Sequence, residues 1–285
     1  MMTGTASKNA ETMKRVSGAL PGILTLSLAL TILPGCGKKS SGEPEQSAQT
    51  GNKAEVAKPE AAKGSQELEA GYAAMDAKDY ATAVEHFTKS ADEGNADAML
   101  MLYVCYCEGL GVERQEEGMG DKYLKPAAET GNRIAMAVYA SYIMVEEHDK
   151  ARGLEMLEKL ADNGCAYAQY SLVKLYQKAR QYKKTGKYLL KLAELPLTDE
   201  KSVLDHIPGA INNKRMFDEK AVIDPKVPTV MNKIIVSSQL ALGALYLEGA
   251  DGIEPDREKA KQWIKTAGEN GYAQADQTIR KLRLE

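Results

Sequence analysis

The chain has 285 residues, which is enough for one or two domains with a sizeable core. Its 14 tyrosines far outnumber its 2 phenylalanines and single tryptophan, and this composition favours short, closely packed helices over a sheet sandwich. The net charge of −3 argues against an electrostatic nucleic-acid-binding role.

The first 35 residues are predicted to be an export signal. Two basic residues, Lys14 and Arg15, precede an apolar run over residues 19–33, and Met13 could be the start as well as Met1. A run of this length is too short to favour a membrane-spanning helix and suits a signal peptide.

The apolar run ends in the sequence Leu33-Pro34-Gly35-Cys36. This motif resembles the bacterial lipobox, which has leucine three positions before the cysteine and a small residue directly before it. Pro34 departs from the family pattern. The resemblance implies lipidation of Cys36 and a protein exported and anchored in the cell envelope. Gly37 then favours the outer membrane, facing the periplasm. An uncleaved anchor and an ordinary signal peptide are the alternatives.

Residues 36–64 are predicted to be the lipidated cysteine and a disordered tether. The part from Gly37 to Gly64 has no aromatic residue, and Val56 is its only branched apolar one. It therefore cannot bury enough apolar surface to become ordered. A coil of this length has an end-to-end distance of about 30 Å.

Residues 65–285 contain a repeated pattern of paired helices, and the clearest copy runs from Ser238 to Ala275. Gly243 leaves room for the second helix, and Gly249 and Gly252 are expected to end the first. The residues at the spacing of one helix face are Ser238, Leu242, Leu245, Tyr246 and Gly249.

The second helix of this copy is predicted to begin after Asp256, whose carboxylate can accept hydrogen bonds from the free N–H groups of the first turn. We expect the Trp263 ring to be buried between the two helices. The apolar face of this helix consists of Ala260, Trp263, Ile264 and Ala267.

This copy resembles the Sel-one-like repeat, a relative of the tetratricopeptide repeat. The resemblance implies an all-α fold, a right-handed α/α superhelix (a solenoid of helix-turn-helix repeats). It also implies scaffold or adaptor roles that depend on protein–protein contact. The matching residues are Leu242, Gly243, Tyr246, Gly249, Gly252, Ile253, Asp256, Lys259, Ala260, Trp263, Ala267 and Gly271.

The same pattern predicts earlier units over residues 67–98, 98–133, 135–167 and 168–194. A double-length step before the last unit implies either an insertion or a decayed repeat at about 195–228. We expect short helices at Asp199–His206 and Lys214–Val222, where prolines exclude long ones. A helix from Thr229 should continue into the last unit, and a charged helix over 276–285 should cap the repeats.

The relation to the tetratricopeptide repeat also predicts which first-helix residues face a concave groove, whose apolar floor and charged edges suit a peptide. Lys174 and Lys178 are four residues apart, so an acidic partner, or Glu108 and Glu248, would relieve their repulsion. The predicted groove residues are Tyr72, Leu100, Val104, Glu108, Ser141, Tyr170, Lys174, Lys178, Ala244 and Glu248.

No residue pattern indicates catalysis, a metal site or a cofactor. The histidines lie in different units without ligand-spaced partners, and no hydrolase, P-loop or dinucleotide motif is present. We therefore expect neither enzymatic activity nor a bound metal or cofactor. Cys105 occupies a leucine position and should be core, and a disulfide between Cys107 and Cys165 is not expected because they lie at opposite ends of their helix pairs.

The sequence thus favours a membrane-anchored envelope lipoprotein that acts as a protein–protein interaction scaffold. Its partner would be an unidentified protein or peptide, with the membrane reached through the anchor at Cys36. Two alternatives remain: a tetratricopeptide-type lipoprotein of an outer-membrane protein or pilus assembly machine, and a hydrolase of cell-wall material or β-lactams.

Overall fold

A computed structural model describes residues 65–112, 118–146, 148–207, 227–250 and 252–284. The predicted signal peptide (1–35), the tether with Cys36 (36–64) and the predicted helix Lys214–Val222 lie outside the described residues.

Within these ranges the chain forms eleven α-helices and one 3-10 helix, Val203–His206, and no β-strand; their only β-type pairing is the isolated bridge between Ala250 and Ile253. The prediction of an all-α fold built from consecutive helix pairs is confirmed. The helices are α1 Ser65–Asp76, α2 Tyr80–Asp92, α3 Ala96–Glu108, α4 Asp121–Glu129, α5 Arg133–Val145, α6 Lys150–Asp162, α7 Ala166–Lys178, α8 Tyr182–Ala193, α9 Val230–Glu248, α10 Arg257–Glu269 and α11 Ala275–Lys281.

The described residues fall into two compact units that divide between Glu155 and Met156, within α6. In the first unit each helix from α1 to α5 packs against the next. In the second unit α7 packs on α8, α8 on α9, α9 on α10, and α10 on α11. A helix pair cannot bury its apolar faces alone, so stacking of neighbours supplies the core of each unit.

Asparagine caps start the first helices of two repeats in the first unit. Asn95 accepts hydrogen bonds from the N–H groups of Asp97 and Ala98, and Asn132 does the same for Ile134 and Ala135. Each bond satisfies a backbone donor that the helix itself leaves unpaired. Cys165 occupies the corresponding position before α7 and makes no capping bond through its side chain.

Two glycines allow the helices of a pair to approach closely. A Cβ atom on Gly71 would lie 2.5 Å from the ring of Phe87, and one on Gly243 would lie 2.8 Å from the side chain of Ile264. The role predicted for Gly243 is confirmed. Helix α9 also ends at Glu248, directly before Gly249, and Asp256 caps α10 as predicted by accepting from the N–H of Lys259.

The prediction that the Trp263 ring is buried is met only in part. Ile264, Ala260 and Ala267 have no exposed surface, whereas Trp263 is only partly buried. The backbone of α10 turns Ile264 towards Gly243, so Ile264 and not Trp263 fills the space left by the missing side chain of Gly243.

The predicted helix at Thr229 is confirmed, because α9 begins there with the Thr229 hydroxyl accepting from the N–H of Asn232. The predicted helix Asp199–His206 is reduced to the short 3-10 helix. The reason is that Asn232 holds Thr198 by two hydrogen bonds, to its N–H at 2.9 Å and to its carbonyl at 2.8 Å. Asp205 in turn accepts from the N–H of Val230.

Helix α9 is the only helix among the described residues that is long and apolar enough to cross a membrane. Most of its apolar stretch is buried inside the protein, where it packs against α8 and α10. These contacts are those of a core helix.

Candidate binding surface

The predicted groove residues of the first unit are mostly buried. Leu100 and Val104 have no exposed surface, and Tyr72 and Ser141 are also buried. The Tyr72 ring meets the Phe87 ring edge-on at a centroid distance of 5.8 Å. These four side chains contribute to the core, and Glu108 is exposed.

The predicted groove residues of the second unit include three charged side chains at its surface. Tyr170 and Ala244 are buried, Lys174 and Glu248 are partly buried, and Lys178 is exposed. The Lys174 ammonium lies over the Tyr170 ring, 5.5 Å from its centroid. A cation in this position is attracted by the electron-rich face of the ring.

The charges of Lys174 and Glu248 are not balanced by ion pairs with the described residues. Burial alone lowers the pKa of Lys174, and burial alone raises the pKa of Glu248 to about 7. An opposite charge nearby would shift each pKa the other way, towards the charged form. Oε1 of Glu248 is also buried and has no hydrogen-bond partner in the described part of the chain. The structure thus does not bring Glu248 into the charge-balancing role that the sequence left open for it.

A set of basic residues on α8 was missed by the sequence reasoning. Lys187 and Lys191 both pair with Asp162, at 2.9 and 2.8 Å, and Lys184 pairs with Glu158 at 3.4 Å. The signal was present in the sequence: residues 166–193 contain seven lysines and arginines and no aspartate or glutamate. A solvated charge run and an organised basic surface look alike until the packing is known.

Polar contacts of the first unit connect successive helices. The Asn132 side chain donates to Asp97 at 2.7 Å, and the Tyr142 hydroxyl donates to Asp121 at 3.0 Å. Burial raises the pKa of both carboxyls, while these hydrogen bonds act in the opposite direction. Such contacts hold repeats together, and we assign them no ligand.

The histidines and cysteines of the described ranges show no arrangement for a metal ion. His86 pairs with Glu67 at 2.6 Å, which links α2 to α1. Cys105, Cys107 and Cys165 are buried, and Cys105 has no exposed surface, which confirms its predicted core position.

The fold is that of a helical repeat protein. Its candidate site is the set of charged side chains at the surface of the stacked helices of the second unit. The chain carries Sel1 repeats: the family model of the Sel1 repeat matches residues 68–95, 96–132, 135–165 and 236–272. The predicted family resemblance is confirmed. Sel1 repeats typically mediate protein–protein interaction.

Two solved structures are similar to the chain. One is a Sel1 repeat protein from Oxalobacter formigenes, with 22% identity over 71% of this chain and 49% of that one, at a TM-score of 0.46. The other is c5321, a protective antigen of uropathogenic Escherichia coli strains with an SLR fold, with 20% identity over 76% of this chain and 51% of that one, at a TM-score of 0.40. The chain spans about half the length of each. No curated protein matches it.

Proposed function

We propose that this protein is an exported lipoprotein, anchored at Cys36, whose Sel1 repeats bind another protein in the cell envelope. The observation that carries the binding role is a pair of partly buried ionisable side chains at predicted groove positions of the second unit: Lys174, which lies over the Tyr170 ring, and Glu248, whose buried Oε1 has no hydrogen-bond partner among the described residues. Partly burying a charge without a partner costs stability, so such residues are retained most readily where a ligand supplies the opposite charge.

The anchor is supported by the sequence Leu33-Pro34-Gly35-Cys36 after a short apolar run. A tether of this length, with a root-mean-square end-to-end distance of about 30 Å, would keep the repeats near the bilayer surface. That arrangement suits a scaffold, because it raises the local concentration of the repeats around other envelope proteins.

The experiment that tests the binding role is site-specific photo-crosslinking in intact cells. A photoreactive residue replaces exposed Lys178 in one variant and exposed Lys265, on α10, in a matched control. We expect a discrete protein adduct from position 178 and none of the same mass from position 265. Absence of any protein adduct from position 178, or from Glu108 tested in the same way, would contradict the proposed binding role.

A further inference from the structure

In the second unit several lysine ammonium groups lie over tyrosine rings. Most of them also pair with a carboxylate. Lys187 and Lys191 lie over the Tyr188 ring and pair with Asp162. Lys184 lies over the Tyr176 ring, 4.6 Å from its centroid, and pairs with Glu158. Each of these ammonium groups therefore has an aromatic face on one side and a carboxylate on another.

The same arrangement occurs on the last repeat. Lys259 lies over the Tyr246 ring, 5.3 Å from its centroid, and pairs with Asp256 at 3.3 Å. Lysine, tyrosine and carboxylate thus form one recurring cluster in this unit, because the ring attracts the cation and the carboxylate neutralises it.

Among the described residues of this unit, Lys174 is the one lysine over a tyrosine ring that has no carboxylate partner. Its ammonium lies over the Tyr170 ring and is more withdrawn from solvent than that of Lys184 or Lys187, yet no carboxylate of those residues pairs with it. A cation that has lost much of its hydration gains more from a carboxylate than an exposed one does. The incomplete cluster therefore has a place for an anionic group.

Further positive charge follows Lys174 along the chain. Lys178, Arg180 and Lys183 follow within nine residues, all exposed and none of them in an ion pair with the described residues. The chain between them turns at Arg180, which has a φ of 56°. The stem of Lys183 lies next to Gly252, because its Cδ is 3.2 Å from where a Cβ on Gly252 would be. We call Tyr170, Lys174, Lys178, Arg180 and Lys183 the basic tip.

We propose that the basic tip binds an acidic segment of a partner protein, and that a carboxylate of this segment completes the cluster at Lys174. The inference rests on the proposed function and specifies the chemistry of the partner. The favoured occupant is a peptide and not a membrane for two reasons. The chain's own clusters are completed by aspartate and glutamate side chains, and Lys174 is partly buried, where a narrow side chain reaches it more easily than a flat layer of headgroups does.

The test measures binding of a fluorescein-labelled octaglutamate peptide to the full chain in a non-ionic detergent, by fluorescence anisotropy at low salt. We expect Lys174→Met, which keeps the aliphatic stem, to weaken binding about five- to tenfold. Adding Lys178→Gln, Arg180→Gln and Lys183→Gln should abolish detectable binding and its salt dependence. The matched control is Lys259→Met, because Lys259 also lies over a tyrosine but already has Asp256; its affinity should stay within about twofold of the original chain.

Equal losses for Lys174→Met and Lys259→Met would overturn the inference, because the effect would then follow net charge alone. A second result would also overturn the inference: the chain does not bind the peptide but binds vesicles of phosphatidylethanolamine and phosphatidylglycerol through the same four residues. The ligand would then be a membrane. Circular dichroism of every variant must match the original chain, and Lys174→Gln provides a second variant if Lys174→Met does not fold.

Crosslinking separates this inference from the proposed function on which it rests. If position 178 captures a protein, and if Lys174→Met, Arg180→Gln and Lys183→Gln added to the chain with the photoreactive residue at position 178 reduce that adduct at least about tenfold, both are supported. If the adduct forms equally in the variant, only the inference about acidic chemistry fails. If no protein adduct forms, the proposed function itself fails.

Discussion

The side chain of Gln239 donates a hydrogen bond to the backbone carbonyl of Ala193 at 3.0 Å, across 46 residues of sequence. Gln169 makes the same contact with the carbonyl of Ala161, also at 3.0 Å. Gln169 lies near the start of α7 and Gln239 lies midway along α9, and both carbonyls lie at the end of the preceding second helix. The second half of α9 therefore occupies on α8 the position that α7 occupies on α6.

Gln239 should matter for stability because both ends of its amide are engaged. Its oxygen accepts from the Asn270 side chain at 3.1 Å, and it is 2% exposed. We expect Gln239→Met, which preserves volume, to lower the free energy of unfolding by about 1–3 kcal/mol, since two buried polar groups lose their partner. Urea unfolding measures the change. Gln262→Met on the exposed face of α10 is the control and should change it by less than about 0.5 kcal/mol.

Gly111 should tolerate substitution less well than Gly94, although both have a positive φ. A Cβ at position 111 would lie 2.2 Å from the carbonyl oxygen of Tyr80, whereas one at position 94 would meet nothing within 4 Å. We expect Gly94→Ala to cost about 1–2 kcal/mol for the left-handed backbone alone. Gly111→Ala should cost about 1–3 kcal/mol more, because the backbone at Tyr80 must move. Equal costs in urea melts would show that the contact between Gly111 and Tyr80 is absent.

Ile264 and Trp263 provide a test of how α10 packs. Ile264→Ala should cost about 2–5 kcal/mol, because it removes a side chain with no exposed surface from the contact with Gly243. Trp263→Ala should cost about 1–2 kcal/mol, because part of the ring already faces solvent. Chemical denaturation of the two variants measures both. A larger loss of unfolding free energy for Trp263→Ala than for Ile264→Ala would show that Trp263 is buried between the two helices, as expected from the sequence.

Much of the helical framework could be predicted from local residues. Glycines, asparagines and Asp256 mark helix ends by a local mechanism, and the bounds of α9 and α10 follow from them. The exposure of Trp263 could not be predicted, because residues 263 and 264 are adjacent on a helix and the pattern cannot decide which one faces the partner helix. The groove positions had the same difficulty: Leu100 and Val104 match the repeat pattern, but in the structure they are buried.

Charge pairing could not be predicted from spacing either. Lys184 pairs with Glu158, 26 residues earlier, and Lys191 pairs with Asp162, 29 residues earlier. Both pairings depend on how α8 lies on α6. The repeat pattern places these lysines on a helix but does not say which of them has a carboxylate within reach. Lys174 therefore became distinctive only when its neighbours were known.

Lipidation at Cys36 remains a prediction with a direct test. We expect metabolic labelling with a radioactive fatty acid to label the original chain, and Cys36→Ser to abolish the label and leave an unprocessed precursor of higher mass. Cys165→Ser is the control, because Cys165 is buried and should not be acylated. Equal label in the original chain and in Cys36→Ser would show that the anchor is elsewhere or absent.

Glu248 should make the protein less stable as the pH rises. Burial raises its pKa from 4.5 to about 7 in the folded chain, whereas the unfolded chain keeps the ordinary value. Between these two pH values the folded state binds more protons than the unfolded state, so the free energy of unfolding falls as pH increases. Below about pH 4.5 the carboxyl is protonated in both states and the penalty is absent, and above about pH 7 it is complete.

The variant Glu248→Gln keeps the shape of the side chain and removes the titration. It should be more stable than the original chain at pH 8 by about 1–2 kcal/mol, allowing for screening by the solvent that reaches this half-buried group, and equally stable at pH 4.5. Thermal or urea unfolding of both proteins from pH 4.5 to 8 measures the difference, and exposed Glu269→Gln serves as the control. A difference that does not grow between pH 4.5 and 7 would mean that Glu248 is hydrated or paired with a cation. Binding of a basic partner group at Glu248 should reverse the effect, because the carboxylate would then be the favoured form.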